Sequence, residues 1–325
     1  MKALVLTSYG DPETCIEYQT VPEPEAPGAG EVLVQLGLAP INFSDILVTR
    51  GLYPLHPDLP SVIGNEGVGH VLKLGPQVSG LEVGDRVALP IGGFVWRERM
   101  VCPAKELIAL PGNADPQQVA MIRINPPTAY LLLDQFVQLQ SGDYVAINAA
   151  NSSIARWIVG FAKQKRVRVV GLVRRPDAFE AARSSGCDLV VLDDDEAPIK
   201  VGKVLDESRP RLALDAVGGE ASGRLIKLLG PEGTFVCYAA PSYAPIAISP
   251  FDVIFNDLQI RGFSIGYPKF TSKIPRAIDE AAKMIVDGRV HVPITATYHL
   301  EEFKAAMAHA LRGGKILLSA PGAAA

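Results

Sequence analysis

The sequence has no block of like charges, no long apolar run and no paired-cysteine motif, and each absence excludes a class of protein. Its 31 Lys and Arg against 35 Asp and Glu give a net charge of -4, so it lacks the basic face that nucleic-acid binding requires. The sequence has no run of about 18 or more apolar residues, the length that a membrane-spanning helix requires. The first residues do not resemble a signal peptide, and we therefore expect a cytoplasmic protein without nucleic-acid or membrane partners.

The residues that commonly bind metals are few and scattered. The 4 cysteines include no Cys-x-x-Cys pair and lie in apolar or strand-like runs, which is typical of reduced core thiols in a cytoplasm. The 5 histidines also lack metal-ligand spacing. The sequence therefore predicts no metal site.

The chain is long enough for two domains, with 325 residues of which 48% are hydrophobic. Up to about residue 115, short apolar runs alternate with Gly and Pro turns, which predicts an irregular β domain. Strands then alternate with helices, which predicts βαβ units and a parallel sheet. Expected strands are 143–148, 167–173, 188–192, 211–216, 233–239, 257–262 and 315–319, and expected helices are 152–165, 178–185, 219–229, 273–287 and 300–311.

A turn of small residues follows the first strand of this second part. Residues 149–153 read AANSS, at the place where a dinucleotide fold presents a glycine-rich turn to a pyrophosphate. The position favours a phosphate site, but the composition does not. Asn151 or Ser152 would equally cap an ordinary helix, so both interpretations stay open at this point.

Two arginines, Arg174 and Arg175, follow the second strand of the predicted parallel sheet. NAD enzymes commonly place an acid there, whereas NADP enzymes place arginine on the 2′-phosphate. Arginine pairs make bidentate, charge-assisted contacts to phosphate. Arginines also occupy solvated strand ends, but the pair favours NADPH as the cofactor.

Three longer stretches carry a resemblance to a known family. Residues 42–53 contain NFSD and RGLY, residues 60–69 read PSVIGNEGVG, and residues 124–130 read INPPTAY. Over nearly the whole chain the sequence resembles the medium-chain dehydrogenase/reductase superfamily. Residues 125–130 together with 148–152 are similar to the mitochondrial-type 2-enoyl thioester reductases, whereas residues 42–53 are also similar to quinone oxidoreductases.

The resemblance implies an α/β chain with a GroES-like irregular β domain and a Rossmann domain, whose doubly wound parallel sheet has six strands. We assign residues 1–117 and 265–325 to the GroES-like catalytic domain and residues 118–264 to the NADPH-binding domain. The resemblance also implies a zinc-free branch. Asn42 and Asn65 stand where zinc-dependent alcohol dehydrogenases of the superfamily have Cys and His, and the four-cysteine lobe is absent.

The same resemblance places Tyr53 at the family's proton donor. Hydride from NADPH reaches the β-carbon of an α,β-unsaturated thioester, and a neutral phenol, with an ordinary pKa of about 10, can protonate the α-carbon. The alternative is a turn aromatic packed on the domain surface. Trp96 is assigned with Tyr53 to the substrate site, although an apolar clamp between strands is its alternative role.

Cofactor binding is likewise assigned by the resemblance. The residues implied are Asn42, Asn125, Thr128, Asn151, Ser152, Ser153, Ile154, Arg174, Arg175, Tyr238, Ala239, Ala240, Pro241, Phe263, Ser264, Ile265 and Lys315. The chain departs from the family pattern at Ser153 and Ala155, where glycines are usual, and at Ser264 and Ile265, where bulky aromatics are usual. The second pair of departures affects the shape of the acyl pocket.

Three hypotheses follow. The first is an NADPH-dependent enoyl thioester reductase that acts on a small molecule linked to CoA or acyl-carrier protein, and we expect it to be a homodimer. The second is an NADPH:quinone or enone oxidoreductase, which needs no dedicated proton donor. The third is a catalytically idle, cofactor-binding protein with a structural or regulatory role, which the missing turn glycines favour.

Overall fold

The computed structural model describes residues 1–206 and 208–321, so the last four residues of the second predicted catalytic segment lie outside the described residues. The chain divides into two compact units. The first unit comprises Met1–Ile124 and the residues from Ile278 onward, and the second unit is Asn125–Ala277. No helix of the described residues is long and apolar enough to cross a membrane.

The first segment of the first unit is mainly β structure. Its strands are β1 Lys2–Leu6, β2 Ile16–Thr20, β3 Glu31–Pro40, β4 Ser61–Val62, β5 Val68–Leu74, β6 Arg86–Ala88, β7 Arg99–Pro103 and β8 Ile108–Ala109. Its helices are α1 Phe43–Thr49 and α2 Pro116–Val119, with a 3-10 turn at Ala104–Glu106.

Strands and helices alternate in the second unit. Its strands are β9 Tyr144–Ile147, β10 Arg168–Val173, β11 Leu189–Leu192, β12 Leu212–Asp215, β13 Thr234–Cys237 and β14 Gln259–Gly262. Its helices are α3 Asn125–Asp134, α4 Ser153–Gln164, α5 Phe179–Ser185, α6 Ala197–Leu205, α7 Glu220–Ile226 and α8 Pro250–Asn256, with 3-10 turns at Pro176–Ala178 and Pro268–Lys273.

The remaining elements are α9 Ile274–Val286, β15 Ala296–His299, a 3-10 turn at Leu300–Glu302, α10 Phe303–Arg312 and β16 Ile316–Ser319. They belong to the first unit, except for the first four residues of α9, which are part of the second unit. Strand β16 pairs antiparallel with β3, which also pairs with β5 and β7. The sheet order is β15-β16-β3-β5-β6-β8, and a small sheet has the order β2-β1-β4. Along β3 the buried Val32, Val34 and Leu36 alternate with half-buried residues, because successive side chains of a strand point to opposite faces.

The second unit contains the predicted parallel sheet. In its described residues six strands lie in the order β11-β10-β9-β12-β13-β14, all parallel. This is the strand order of a dinucleotide-binding fold, and it reverses between β9 and β12. The predicted fold class is therefore confirmed. Buried apolar side chains such as Ala146, Val170, Ala213 and Phe235 form the core, as expected of a parallel sheet covered on both faces.

Helices α3, α6 and α8 were not expected from the sequence. Each has proline in its first turn: Pro126 and Pro127 in α3, Pro198 in α6 and Pro250 in α8. Proline suggests a turn when a sequence is read locally. It is tolerated at the start of a helix because the first N–H groups have no intrahelical partner there.

Candidate functional site

A polar cluster is buried at the start of α1 in the first unit; it consists of Asn42, Asp45, Asn65, Glu66 and Lys315. Both carboxylate oxygens of Asp45 accept backbone hydrogen bonds: Oδ2 from the N–H of Asn42 at 2.7 Å and Oδ1 from the N–H of Asn65 at 2.9 Å. Asp45 thereby fixes the start of its own helix to the loop that precedes β5.

The side chain of Asn42 links a carboxylate to an ammonium group. Its Nδ2 donates to Glu66 Oε1 at 2.7 Å, and its Oδ1 accepts from Lys315 Nζ at 2.7 Å. The other Glu66 oxygen accepts the N–H groups of Arg123 and Ile124, each at 3.0 Å. The buried carboxylate is therefore fully hydrogen-bonded, which a buried charge requires.

Burial dominates the protonation of this cluster. It raises the pKa of Asp45 to about 7, and the hydrogen bonds from the Asn42 and Asn65 N–H groups only partly offset it. Burial also raises the pKa of Glu66, although Lys315 opposes the shift. It lowers the pKa of Lys315, where Glu66 and Asp45 act in the other direction.

Tyr53 is half-buried and packs against the apolar core of the first unit. Burial raises the pKa of its phenol, and the Asp45 carboxyl raises it further. Among the described residues no hydrogen bond to the Tyr53 hydroxyl is found. The phenol is therefore neutral at physiological pH and has a proton available for donation.

Trp96 lies in the core rather than at an exposed surface. Its side chain is 0% exposed and packs against Phe303, with ring centroids 5.5 Å apart. Gly64 has a positive φ of 109°, and a Cβ at this position would overlap the indole ring. This packing favours the alternative role of an apolar clamp over direct contact with a substrate.

In the second unit, the turn after β9 is compact. Ala149 adopts a left-handed φ of 46°, and the N–H of Ala150 donates to the Leu172 carbonyl of β10 at 3.1 Å. Ser152 caps α4, with its Oγ accepting from the N–H of Ala155 at 3.3 Å. A Cβ on Gly171 would lie 2.7 Å from that of Ala150. Gly171 of the neighbouring strand β10 thus leaves room for the turn after β9 to approach the strand closely. Glycines within the turn usually provide this room.

Arg174 and Arg175 are exposed where β10 ends. Arg175 makes an ion pair of 3.2 Å with Asp177, and both side chains are largely solvated. Such a surface pair contributes little free energy, so it does not prevent a guanidinium group from binding a phosphate.

Most of the predicted cofactor residues come together at one edge of the parallel sheet. The carboxyl ends of parallel strands meet at the same edge. The predicted cofactor residues that follow β9, β10, β13 and β14 there are residues 151–154, 174–175, 238–241 and 263–265. Asn125 and Thr128 lie in α3 of the same unit. Asn42, Tyr53, Trp96 and Lys315 belong to the first unit.

One buried residue at this edge was missed by sequence reasoning. Asp215 ends β12, is fully buried, and accepts hydrogen bonds from Asn148 Nδ2 and Ser222 Oγ, each at 2.6 Å. A signal was present, because Asp215 is the one acidic residue of the apolar strand Leu212–Asp215. A buried acid usually has a specific partner.

Comparison with known proteins identifies relatives of the whole chain. The family model "Alcohol dehydrogenase GroES-like domain" matches residues 28–112, and "Zinc-binding dehydrogenase" matches residues 154–283. The mitochondrial enoyl-[acyl-carrier-protein] reductase of Mus musculus is 35% identical over 317 residues, which cover 94% of this chain and 84% of that protein.

Solved structures resemble the chain over nearly its full length. A complex of Etr1p with NADP and crotonyl-CoA has a TM-score of 0.89 at 23% identity, covering 98% of this chain and 99% of that one; at this identity the likeness shows the fold alone. A quinone oxidoreductase of Pseudomonas syringae pv. tomato DC3000 has a TM-score of 0.85 at 26% identity, covering 98% and 99%.

The zinc in the name of one matched family does not fit the side chains of the polar cluster. Within residues 1–206 and 208–321, no group of three His, Cys, Asp or Glu could hold a metal ion. The Asn42 oxygen already accepts from the Lys315 ammonium, and Asn65 Nδ2 donates to Ser44 Oγ at 3.1 Å. Zinc prefers thiolate, imidazole or carboxylate ligands, and the carboxylates of this cluster, Asp45 and Glu66, already accept N–H groups with both oxygens. We therefore assign no chemical step to a metal.

Proposed function

The chain belongs to the enoyl-[acyl-carrier-protein] reductase family of the medium-chain dehydrogenase/reductase superfamily, and from this we propose that it reduces the double bond of a trans-2-enoyl thioester with NADPH. The observation that carries the proposal is the half-buried phenol of Tyr53. The raised pKa of this phenol keeps it protonated, and a protonated phenol can serve as the proton donor that such a reduction requires.

The sheet edge of the second unit has the features of an NADPH site. The first N–H groups of a helix have no carbonyl partner within it, and those of Ser153 and Ile154 at the start of α4 suit a pyrophosphate. Arg174 and Arg175 suit the 2′-phosphate. NADPH, when bound, supplies the hydride that adds to the β-carbon of the substrate.

Tyr53 has the remaining task in this proposal. Its Oη gives a proton to the α-carbon, so that one hydride and one proton saturate the double bond. Burial and the Asp45 carboxyl keep the phenol protonated until a strong base forms beside it. The phenolate is afterwards reprotonated from solvent, which the half-exposed position of Tyr53 allows.

The quinone oxidoreductase of Pseudomonas syringae supports a second candidate function, the reduction of a quinone or enone. A flat acceptor that takes hydride and then picks up a proton from water needs no dedicated acid. The two candidates therefore differ in their dependence on the Tyr53 hydroxyl.

The test is NADPH oxidation, beside NADH, with crotonyl-CoA and with a simple quinone. Tyr53→Phe should lower turnover of crotonyl-CoA by about 100-fold to 10,000-fold, the usual contribution of a general acid. Tyr18→Phe is the matched control, because Tyr18 is also half-buried against the same core and burial also raises its pKa. It should leave turnover unchanged.

Three results would redirect the proposal. Reduction of the quinone alone would favour the second candidate, and crotonyl-CoA turnover by Tyr53→Phe within about threefold of the wild-type rate would exclude Tyr53 as the acid. Tight NADPH binding without turnover of any acceptor would favour the catalytically idle protein. Crotonyl-CoA compared with the crotonyl thioester of acyl-carrier protein then identifies the carrier.

We also propose that the chain forms a homodimer through the β14 edge of its parallel sheet. All four residues of β14 are exposed, and an edge strand has unpaired N–H and C=O groups. The adjacent helix α8 exposes 66% of Phe251 and 78% of Phe255, and the two rings stack. An apolar patch beside an open edge suits a second copy of the same surface.

Light scattering tests this assembly. The wild-type chain should have twice the mass of one chain, and Phe255→Glu should shift it to the monomer. Ile199→Glu, at a similarly exposed apolar residue of α6, is the control and should stay dimeric. A monomeric wild type would contradict the proposal.

The cytoplasmic location expected from the sequence stays a prediction, because the mouse relative is mitochondrial by name. Fractionation of the host cell, with antibody detection of the chain beside compartment markers, distinguishes the two locations.

A further inference from the structure

A hydrogen-bonded group, here called the Asp215 cluster, lies where the strand order of the parallel sheet reverses; it consists of Asn148, Asp215, Ser222 and the N–H groups of Val217 and Gly218. Strands β9 and β12 are neighbours at this point. Asp215 is completely buried at the end of β12. A buried carboxylate is stable only if its hydrogen-bonding capacity is used, and here four donors reach it.

The first set of hydrogen bonds in the Asp215 cluster fixes the turn after β9. Asn148 Nδ2 donates to Asp215 Oδ1 at 2.6 Å, and Asn148 Oδ1 accepts from the N–H of Ala216 at 2.7 Å. The next residue is Ala149, whose left-handed φ of 46° is costly for a residue other than glycine. The side chain of Asn148 therefore anchors the backbone immediately before the strained position.

The second set of hydrogen bonds fixes the loops after β12 and β13. Asp215 Oδ1 also accepts the N–H groups of Val217 at 3.0 Å and Gly218 at 3.2 Å. The Val217 carbonyl in turn accepts the N–H of Ser242 at 3.1 Å. Ser242 directly follows residues 238–241, which the family resemblance assigns to the cofactor. One carboxylate thus connects the turn after β9 with the loop after β13.

We propose that Asp215 is a positioning residue of the cofactor site, which fixes both loops in their binding arrangement before NADPH arrives. The inference rests on the proposed function, because it concerns the same cofactor. A fully satisfied buried network is rigid. Loops that are already ordered lose less conformational entropy on binding, so preorganisation increases affinity. Asp215 does not contact the reacting atoms in this role.

The test separates positioning from stability by titrating NADPH against the purified full chain and by measuring KM and kcat. Asp215→Ala should raise the Kd and the KM for NADPH at least about tenfold, which corresponds to about 1.4 kcal/mol. The kcat at saturating NADPH should stay within about twofold of the wild-type value.

Asp215→Asn should restore the affinity. Its amide oxygen can accept from Asn148, Val217 and Gly218, and its NH₂ can donate to Ser222 Oγ, which accepts as readily as it donates. Val145→Ala is the control for general destabilisation. Val145 is fully buried in β9, so the change leaves a cavity away from the turn and should not alter the Kd for NADPH.

If Asp215→Ala does not fold, Asn148→Ala carries the test, with the same expected rise in Kd. Unchanged NADPH affinity in the folded variant, or an equal loss of affinity in Val145→Ala, would overturn the inference while the proposed function stands. A wild-type chain that does not bind NADPH would overturn the proposed function and this inference together.

Discussion

Replacement of Asp45 by Asn tests the electrostatics of the polar cluster. Burial raises the pKa of Asp45 from 3.8 to about 7, against the opposing effects of the Asn42 and Asn65 N–H groups and of Lys315. The carboxyl group of the unfolded chain titrates near its ordinary value. Between these two values the folded chain therefore holds a proton that the unfolded chain has lost.

The sign of the pH dependence follows from this difference. Stability falls with rising pH wherever the folded state binds more protons. The contribution of Asp45 is complete below about pH 4 and is lost as the pH rises through about 7. The slope reaches about 1.4 kcal/mol per pH unit, so the free energy of unfolding should fall by about 2 to 3 kcal/mol between about pH 5 and about pH 7.

The Asn variant has no titrating group at this position and should lack that part of the slope. Urea unfolding of both proteins at several pH values from about pH 5 to about pH 8 measures how the free energy of unfolding depends on pH. The 2 tryptophans are divided between the units, with Trp96 in the first and Trp157 in the second. A Trp157→Phe background therefore makes the fluorescence report on the first unit alone. Glu66 and Lys315 are present in both proteins, so the difference between the curves reports Asp45 together with its coupling to these two groups.

The control is Asp85→Asn, because Asp85 also accepts a backbone N–H, from Glu82 at 2.7 Å, but lies outside the cluster. It should keep the wild-type slope. A difference between wild type and Asp45→Asn that stays constant within about 0.5 kcal/mol over the whole pH range would refute the reasoning. So would a difference with the opposite slope.

Four further substitutions have defined outcomes. Arg174→Ala and Arg175→Ala should each raise the KM for NADPH by about 10-fold to 100-fold and leave that for NADH unchanged, because each removes charge-assisted contacts to the 2′-phosphate; an equal effect on both cofactors in steady-state assays would contradict this. Ala149→Gly relieves the φ of 46° and should raise stability by about 1 kcal/mol, whereas a lower Tm would argue against strain. Gly64→Ala places a Cβ on the Trp96 ring at a φ of 109° and should cost about 3 kcal/mol or more; an unchanged Tm would contradict that packing.

The six strands of the second unit and its helices α4, α5 and α7 could be predicted closely from the sequence. The strand expected at 143–148 is Tyr144–Ile147, and the helix expected at 152–165 is Ser153–Gln164. Hydrophobic periodicity depends on neighbours within one or two turns of the chain, so it is present before any tertiary contact. The positions of the turn after β9 and of the arginine pair follow from the same local order.

The environments of the site residues could not be predicted in this way. Trp96 was assigned to the substrate site, yet its environment depends on Gly64 and Phe303 from separate segments. The importance of Asp45 was missed because its partners are backbone N–H groups, and one of them, that of Asn65, is 20 residues away. The type of a residue does not show whether its backbone N–H donates to a distant carboxylate.

The sequence by itself determined most of the alternation of strands and helices, the place of the turn after β9 and the positions of Tyr53 and of the arginine pair, because each depends on local order or on a short motif. Only the tertiary structure decided which buried charges meet. Lys315 reaches Asn42 across 273 residues, and Asn148 reaches Asp215 across 67. Such pairs form because an unpaired buried polar group is costly, and the fold decides which residues are close enough to pair with it.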